Sequence, residues 1–151
     1  MQEIDNFLSL DDCNEIIKLC ENLNMKSIVS DNSYVFSNQY RIKFSNKELQ
    51  MKIQKALPNK FTVCESFSYV KYENNGFMPY HVDSYSEQAI YSCIIYLNDD
   101  YKNGETFIVE NYTELAIEKK IGKCFIFKGS KIMHGCYKVG GTKKILICKL
   151  F

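Results

Sequence analysis

Residues 63–72 read V-C-E-S-F-S-Y-V-K-Y, a run without Gly or Pro and rich in β-branched and aromatic side chains, the composition of a strand. Four runs of the same texture follow: A-I-Y-S-C-I-I-Y-L at 89–97, E-T-F-I-V-E at 105–110, K-C-F-I-F-K at 123–128 and K-K-I-L-I-C-K-L-F at 143–151. All 7 glycines fall among these runs and none precedes them, so positive-φ turns are confined to this part of the chain. At about ten to twelve residues per strand with its connection, residues 61–151 hold about eight strands. The pattern predicts a mainly β fold with a jelly-roll or small-barrel core.

Two helices are predicted ahead of that core. Between Ser9 and Asn24, Leu10, Cys13, Ile16, Ile17, Cys20 and Leu23 recur at helical spacing, with Ser9 as N-cap and Asp12 three residues on. Ser45 with Glu48 reads as a second capping box, followed by Leu49, Ile53, Ala56 and Leu57 on one face and Pro58 just past the end. Residues 27–44 suit one or two short strands around a polar loop. One domain is expected over 1–151, with 1–60 as helical support and 61–151 as core.

The charge is nearly balanced, 19 basic against 18 acidic side chains, and no basic stripe is present. Nothing electrostatic recommends a nucleic acid or an anionic membrane as partner. The 7 cysteines are odd in number and lack C-x-x-C spacing, which argues against a disulfide scaffold or a zinc ribbon. No secretory leader is legible, and no apolar run approaches the ~20 residues of a membrane span. A soluble cytoplasmic protein is expected, its thiols packed as small core residues.

The chemistry concentrates at the chain's 2 histidines. His81 lies in P-Y-H-V-D-S, and on a strand His81 and Asp83 point to the same face about 6.6 Å apart. His134, in K-I-M-H-G-C, follows another strand-like run. Two histidines and a carboxylate form the facial triad of mononuclear non-haem iron(II).

The chain from about Cys64 to Phe151 resembles the iron(II)- and 2-oxoglutarate-dependent oxygenases of the prolyl 4-hydroxylase type. The matching positions are Tyr72, Gly76, His81-Val82-Asp83, Tyr96-Leu97-Asn98, Asn103-Gly104-Glu105-Thr106, His134-Gly135 and Gly141-Thr142-Lys143. The resemblance implies a double-stranded β-helix (jelly-roll, cupin-like) core behind amino-terminal helices. It implies His81, Asp83 and His134 as iron ligands, with 2-oxoglutarate and dioxygen as co-substrates and ascorbate as a supporting reductant. Lys143, at the hypoxia-type spacing after His134, is expected to hold the distal carboxylate of 2-oxoglutarate; Lys144 has the collagen-type spacing, and alternation admits only one of them. Tyr96 and Tyr72 resemble tyrosines of the co-substrate site, and Ser92 and Cys93 stand on the same strand as Tyr96. Asn103-Gly104, with Asp99 and Asp100, reads as a hairpin turn.

Several positions depart from the family pattern. Asn103 replaces the first glycine of G-G-E, no proline follows His134, the last strand lacks a tryptophan, and no arginine stands between Asp83 and Tyr96. These departures spare the metal ligands and fall on the substrate side. The expected reaction is hydroxylation of a peptidyl prolyl residue with release of succinate and CO2. Alternatives are a free amino acid or other small metabolite as substrate, a cupin-like iron enzyme without 2-oxoglutarate, and a non-catalytic metal-binding jelly roll. A loop over Ser30 to Tyr40 that closes over the metal would favour a peptide.

Overall fold

Ser9 caps the first helix, α1 (Leu10–Glu21), through a reciprocal box: its hydroxyl accepts from the Asp12 N–H and the Asp12 carboxylate accepts from the Ser9 N–H. Cys13, Ile16 and Cys20 are buried along one side, whereas Leu10 and Leu23 remain exposed. The second helix, α2 (Lys47–Ala56), starts one residue later than expected. Ser45 closes the preceding strand, and Asn46 is the N-cap, its side chain accepting from the Leu49 N–H at 2.9 Å. The Ser45–Glu48 box is therefore not formed: Ser45 is spent on strand pairing and the Asn46 side chain caps instead.

This computed structural model describes residues 1–24, 26–27, 38–83 and 90–151. The strands are β1 (Gln2–Ile4), β2 (Lys26–Ser27), β3 (Gln39–Ser45), β4 (Val63–Tyr72), β5 (Met78–His81), β6 (Tyr91–Tyr96), β7 (Lys102–Asn103), β8 (Thr106–Glu110), β9 (Thr113–Ala116), β10 (Cys124–Phe127), β11 (His134–Cys136), β12 (Val139–Gly140) and β13 (Lys143–Leu150). They form an antiparallel sheet in the order β1-β10-β6-β13-β4-β3-β2, a second in the order β5-β11-β8-β9, and the small pair β12-β7. The architecture is a mainly β jelly roll with two amino-terminal helices, as expected. From residue 63 onward the described strands number ten against about eight predicted, and the surplus is the two-residue pair β7 and β12.

Strand alternation divides the interior in two. One face of the large sheet packs Phe67, Tyr69, Cys93, Ile95, Cys124, Leu146 and Cys148 against Cys13, Ile16, Cys20, Leu49 and Ile53 of the helices. The opposite face sends Val70, Tyr72, Ile94, Tyr96, Phe125 and Ile145 toward Ile108 and Cys136 of the small sheet. Six of the seven cysteines are buried and all are free thiols, the packing role expected of them.

Asn103 and Gly104 do take positive φ, 52° and 73°, but they make no hairpin. Asn103 belongs to β7, which pairs with β12, and β6 before it and β8 after it belong to different sheets, so the segment carries the chain across the sandwich. No helix among the described residues is long and apolar enough to cross a membrane.

Ile53 is fully buried between α2 and the large sheet, whereas Met51 on the same helix is exposed. Urea unfolding of Ile53→Ala is expected to show a loss of about 2–5 kcal/mol. Met51→Ala should stay within about 0.5 kcal/mol of the parent, and equal effects of the two would contradict this packing.

Candidate active site

His81 ends β5, His134 opens β11, and the two are register partners across the small sheet. Their rings stand 4.2 Å apart between centroids. Each Nδ1 lies 2.9 Å from a carbonyl two residues back, Pro79 O for His81 and Ile132 O for His134. A carbonyl can only accept, so each Nδ1 carries the donated proton and each Nε2 lone pair faces the other way. Both Nε2 atoms are 3.6 Å from Asp83 Oδ1.

Asp83 does not share a strand with His81 as the H-x-D spacing suggested. β5 stops at His81, and Asp83 lies two residues beyond it, fixed by its N–H to Gly129 O at 2.9 Å. The carboxylate converges on the histidines through this departure, not through alternation. Its outer oxygen, Oδ2, accepts from the Ser92 hydroxyl and from Lys149 Nζ at 2.9 Å, which turns Oδ1 inward. Burial pushes the Asp83 carboxyl up, but the facing His134 and His81 imidazoles, the Ser92 hydroxyl and the Lys149 charge outweigh it and hold the group well below the usual range. For His81, burial opposes charging, but the Asp83 carboxylate and the Pro79 carbonyl outweigh it and raise its pKa.

The three donor atoms lie within 4.8 Å of one another, the one such metal-competent cluster among the described residues. Two imidazole Nε2 atoms and one carboxylate oxygen, each with its outer atom tied by a hydrogen bond, suit a divalent transition metal with open coordination positions. The residues present therefore fit iron(II).

A narrow cleft runs inward from this cluster between the sheets, walled by Tyr72, Met78, Thr106, Ile145, Ile147 and Arg41 among others. Past Thr106 and Cys136 sits Lys143, fully buried, its Nζ 2.8 Å from Gly104 O, 2.9 Å from Thr106 Oγ1 and 3.2 Å from Cys136 Sγ. The rings of Tyr72 and Tyr96 flank it at 5.5 and 5.3 Å. Burial lowers the Lys143 pKa. Lys144 points to the opposite face, 3.7 Å from Glu21 of α1, so the two lysines left open by alternation are separated by the sheet itself.

Tyr96 and Tyr72 are both buried beside Lys143. The Tyr96 hydroxyl accepts from the Thr106 N–H at 3.3 Å, and the Tyr72 hydroxyl accepts from Gln39 Nε2 at 3.3 Å. Burial raises both phenol pKa values, which keeps both hydroxyls neutral. Ser92 faces the site, while Cys93 turns to the helical side, its sulfur 3.2 Å from that of Cys124. Residues 30–37 of the expected closing loop lie outside the described residues.

Sequence reasoning missed Arg41 on the cleft wall and the grip of Lys149 on Asp83. For Lys149 the signal was available, since alternation puts it on the Lys143 face of β13. Arg41 alternates with Tyr40 and Ile42, so its face of the strand was legible, but the sequence did not place that strand beside the cleft.

The 2OG-Fe(II) oxygenase superfamily model matches residues 67–151, more than half of the chain. The chain belongs to that superfamily, and this implies an oxygenase that uses iron(II), 2-oxoglutarate and dioxygen. No curated protein matches it by sequence. Among solved structures, a prolyl hydroxylase from Trichoplax adhaerens in complex with a hypoxia inducible factor oxygen degradation domain peptide superposes with a TM-score of 0.78 at 13% identity, over 99% of this chain and 82% of that one. The viral collagen prolyl hydroxylase of Paramecium Bursaria Chlorella virus-1, in its 2-oxoglutarate complex, gives 0.69 at 19% identity, over 99% and 93%. HygX from Streptomyces hygroscopicus, with nickel, 2-oxoglutarate and hygromycin B bound, gives 0.72 at 11% identity, over 98% and 81%. At these identities the likeness is one of fold.

Gly135 sits at the register shift between His134 and Cys136 in β11, and a Cβ there would meet Phe107 Cζ at 2.5 Å and Met78 O at 2.6 Å. Gly135→Ala must push β11 away from β5 and should cost about 1–3 kcal/mol in urea unfolding. Gly140→Ala, whose nearest neighbour would be Lys102 Cβ at 3.2 Å, should cost less; the reverse order would contradict the close approach at Gly135.

Proposed function

We propose that the chain hydroxylates a peptidyl prolyl residue, converting 2-oxoglutarate to succinate and CO2, with iron(II) held by His81, Asp83 and His134. The observation that carries the reading is Lys143, a fully buried ammonium whose hydrogen-bond partners, Gly104 O, Thr106 Oγ1 and Cys136 Sγ, are all neutral. No carboxylate among the described residues pairs with it, and a buried cation without a counter-ion costs several kcal/mol, which an arriving carboxylate removes.

Bound iron(II) supplies the activation of dioxygen that couples decarboxylation of the co-substrate to hydroxylation. The chain supplies position and dryness. Lys143 and Thr106 hold the distal carboxylate of 2-oxoglutarate, with the Tyr96 hydroxyl and the Tyr72 ring beside it. Ser92 and Lys149 hold Oδ2 of Asp83 so that Oδ1 keeps facing the two Nε2 atoms, and the Pro79 and Ile132 carbonyls keep both imidazoles in the ligating tautomer. Ile94, Ile145 and Ile147 line the cleft with apolar surface that excludes water.

A peptide is favoured by the rim. Tyr80, Val82 and Met133 are exposed apolar side chains adjoining His81 and His134, a surface on which an extended chain can lie. The Trichoplax structure contains a peptide. A small molecule is the second reading, because HygX, of the same fold, holds hygromycin B.

Incubation with iron(II), 2-oxoglutarate, ascorbate and a pool of prolyl peptides should add one oxygen atom to peptide, read by mass spectrometry, in step with succinate. Oxygen gained by free proline, with none gained by peptide, would move the assignment to the small-molecule reading. Lys143→Met should raise the KM for 2-oxoglutarate about ten- to hundred-fold, the loss of a charged hydrogen-bonded contact. Lys144→Met should leave it unchanged, and the opposite pattern would remove Lys143 from the co-substrate site.

A further inference from the structure

Of the chain's 19 basic residues, 18 are lysines; Arg41 is the single arginine. It lies on β3, paired with Val70 of β4, which is in turn paired with Ile145 of β13. On the same strand Gln39 pairs with Tyr72, the partner of Lys143. Arg41 therefore stands one inward-facing position along from the Lys143 rung, toward the end where Lys149 holds Asp83. It lines the same cleft as His81, Tyr72 and Met78. Its positive charge acts on Tyr72 and Lys149 of the large sheet and on His81 of the small one.

Arg41 Nε is buried and has no hydrogen-bond partner among the described residues, and no carboxylate among them pairs with the guanidinium. A guanidinium cannot shed its proton, and its planar fork matches an oxyanion through two parallel bonds. Among the described residues the one carboxylate lining the cleft is Asp83, whose two oxygens face the histidines on one side and Ser92 and Lys149 on the other. With Lys143 assigned to the co-substrate, the cleft keeps a cation for which the known reactants supply no counter-charge. Iron(II) with Lys143, Lys149 and Arg41 outweighs the negative charge of Asp83 and a dianionic 2-oxoglutarate.

We propose that Arg41 binds a carboxylate of the substrate, so that preferred substrates carry an anionic group close to the hydroxylated carbon. This rests on the oxygenase reading above and narrows its substrate. The carboxylate has two sources, the side chain of an Asp or Glu beside the target residue in a peptide, or the α-carboxylate of a free amino acid. Arg41 thereby acts as a specificity determinant and not in the chemical step. The chain lacks both an arginine between Asp83 and Tyr96 and a tryptophan on its last strand, and Arg41 offers a substrate contact from a different strand.

The test compares matched ligands on iron(II)-loaded protein kept anaerobic, with and without 2-oxoglutarate, by titration calorimetry. One pair is a prolyl peptide with Asp next to the proline against the same peptide with Asn; the other is L-proline against L-prolinamide. The parent protein should prefer the carboxylate member of one pair by about ten- to hundred-fold, and which pair responds identifies the source. Arg41→Gln should reduce that preference to less than about threefold while leaving 2-oxoglutarate affinity unchanged, and Arg41→Lys should keep part of it. Thermal midpoints of both variants confirm folding. Equal affinity within both pairs, or a preference that survives Arg41→Gln, overturns the proposal. A fall in 2-oxoglutarate affinity in Arg41→Gln also overturns it, by assigning the guanidinium to the co-substrate. Failure of the parent protein to bind 2-oxoglutarate at all would instead defeat the oxygenase reading, while the comparison made without co-substrate would still decide Arg41.

Discussion

The pairing of His81 with His134 across β5 and β11 is the constraint on which the site depends. A strand slipped by one residue turns every side chain to the other face, so this register alone decides whether the two imidazoles meet. Gly135 permits the close approach, since any side chain there would strike Phe107 and the Met78 carbonyl. Asp83 is then brought in by chain geometry beyond the strand, and Ser92 and Lys149 reach from the large sheet to fix its outer oxygen. The two histidines of the small sheet thus meet a carboxylate held from the large one, and the site exists only where the two sheets face each other.

The large sheet serves two purposes through one alternation. Leu146 and Cys148 face the helices while Lys143 and Ile145 face the cleft, within the same eight-residue strand. The helices shield one face so that the other can be given to polar and titratable groups that a small core would otherwise exclude. Burial of Lys143 is tolerable because Thr106, Gly104 and Cys136 satisfy its protons, and its unpaired charge is a standing attraction for an anion at the inner end of the cleft.

The strands were legible because their apolar runs are long and their glycines mark the turns: residues 63–72, read from composition alone, form β4 without a change of boundary. The H-x-D spacing with a distal histidine was legible as a constellation, but its geometry was not, because the end of β5 at His81 depends on tertiary packing and not on local propensity. The hairpin at Asn103-Gly104 failed for a related reason. Turn chemistry states that the chain reverses, and here it reverses into a different sheet. Arg41 stayed hidden because the alternation of Tyr40, Ile42 and Phe44 with Arg41 and Lys43 sets two faces without saying which meets the cleft, and the pairing with Val70 supplies that.

Whether these three side chains hold an iron centre that chelates 2-oxoglutarate is decided most directly by visible absorption. Anaerobic protein mixed with iron(II) and then with 2-oxoglutarate should develop the weak metal-to-ligand band of the chelate, and His134→Ala and Asp83→Ala, shown to be folded, should not. A folded, iron-loaded parent protein without the band, or a band that persists in His134→Ala, would contradict the assignment of the centre.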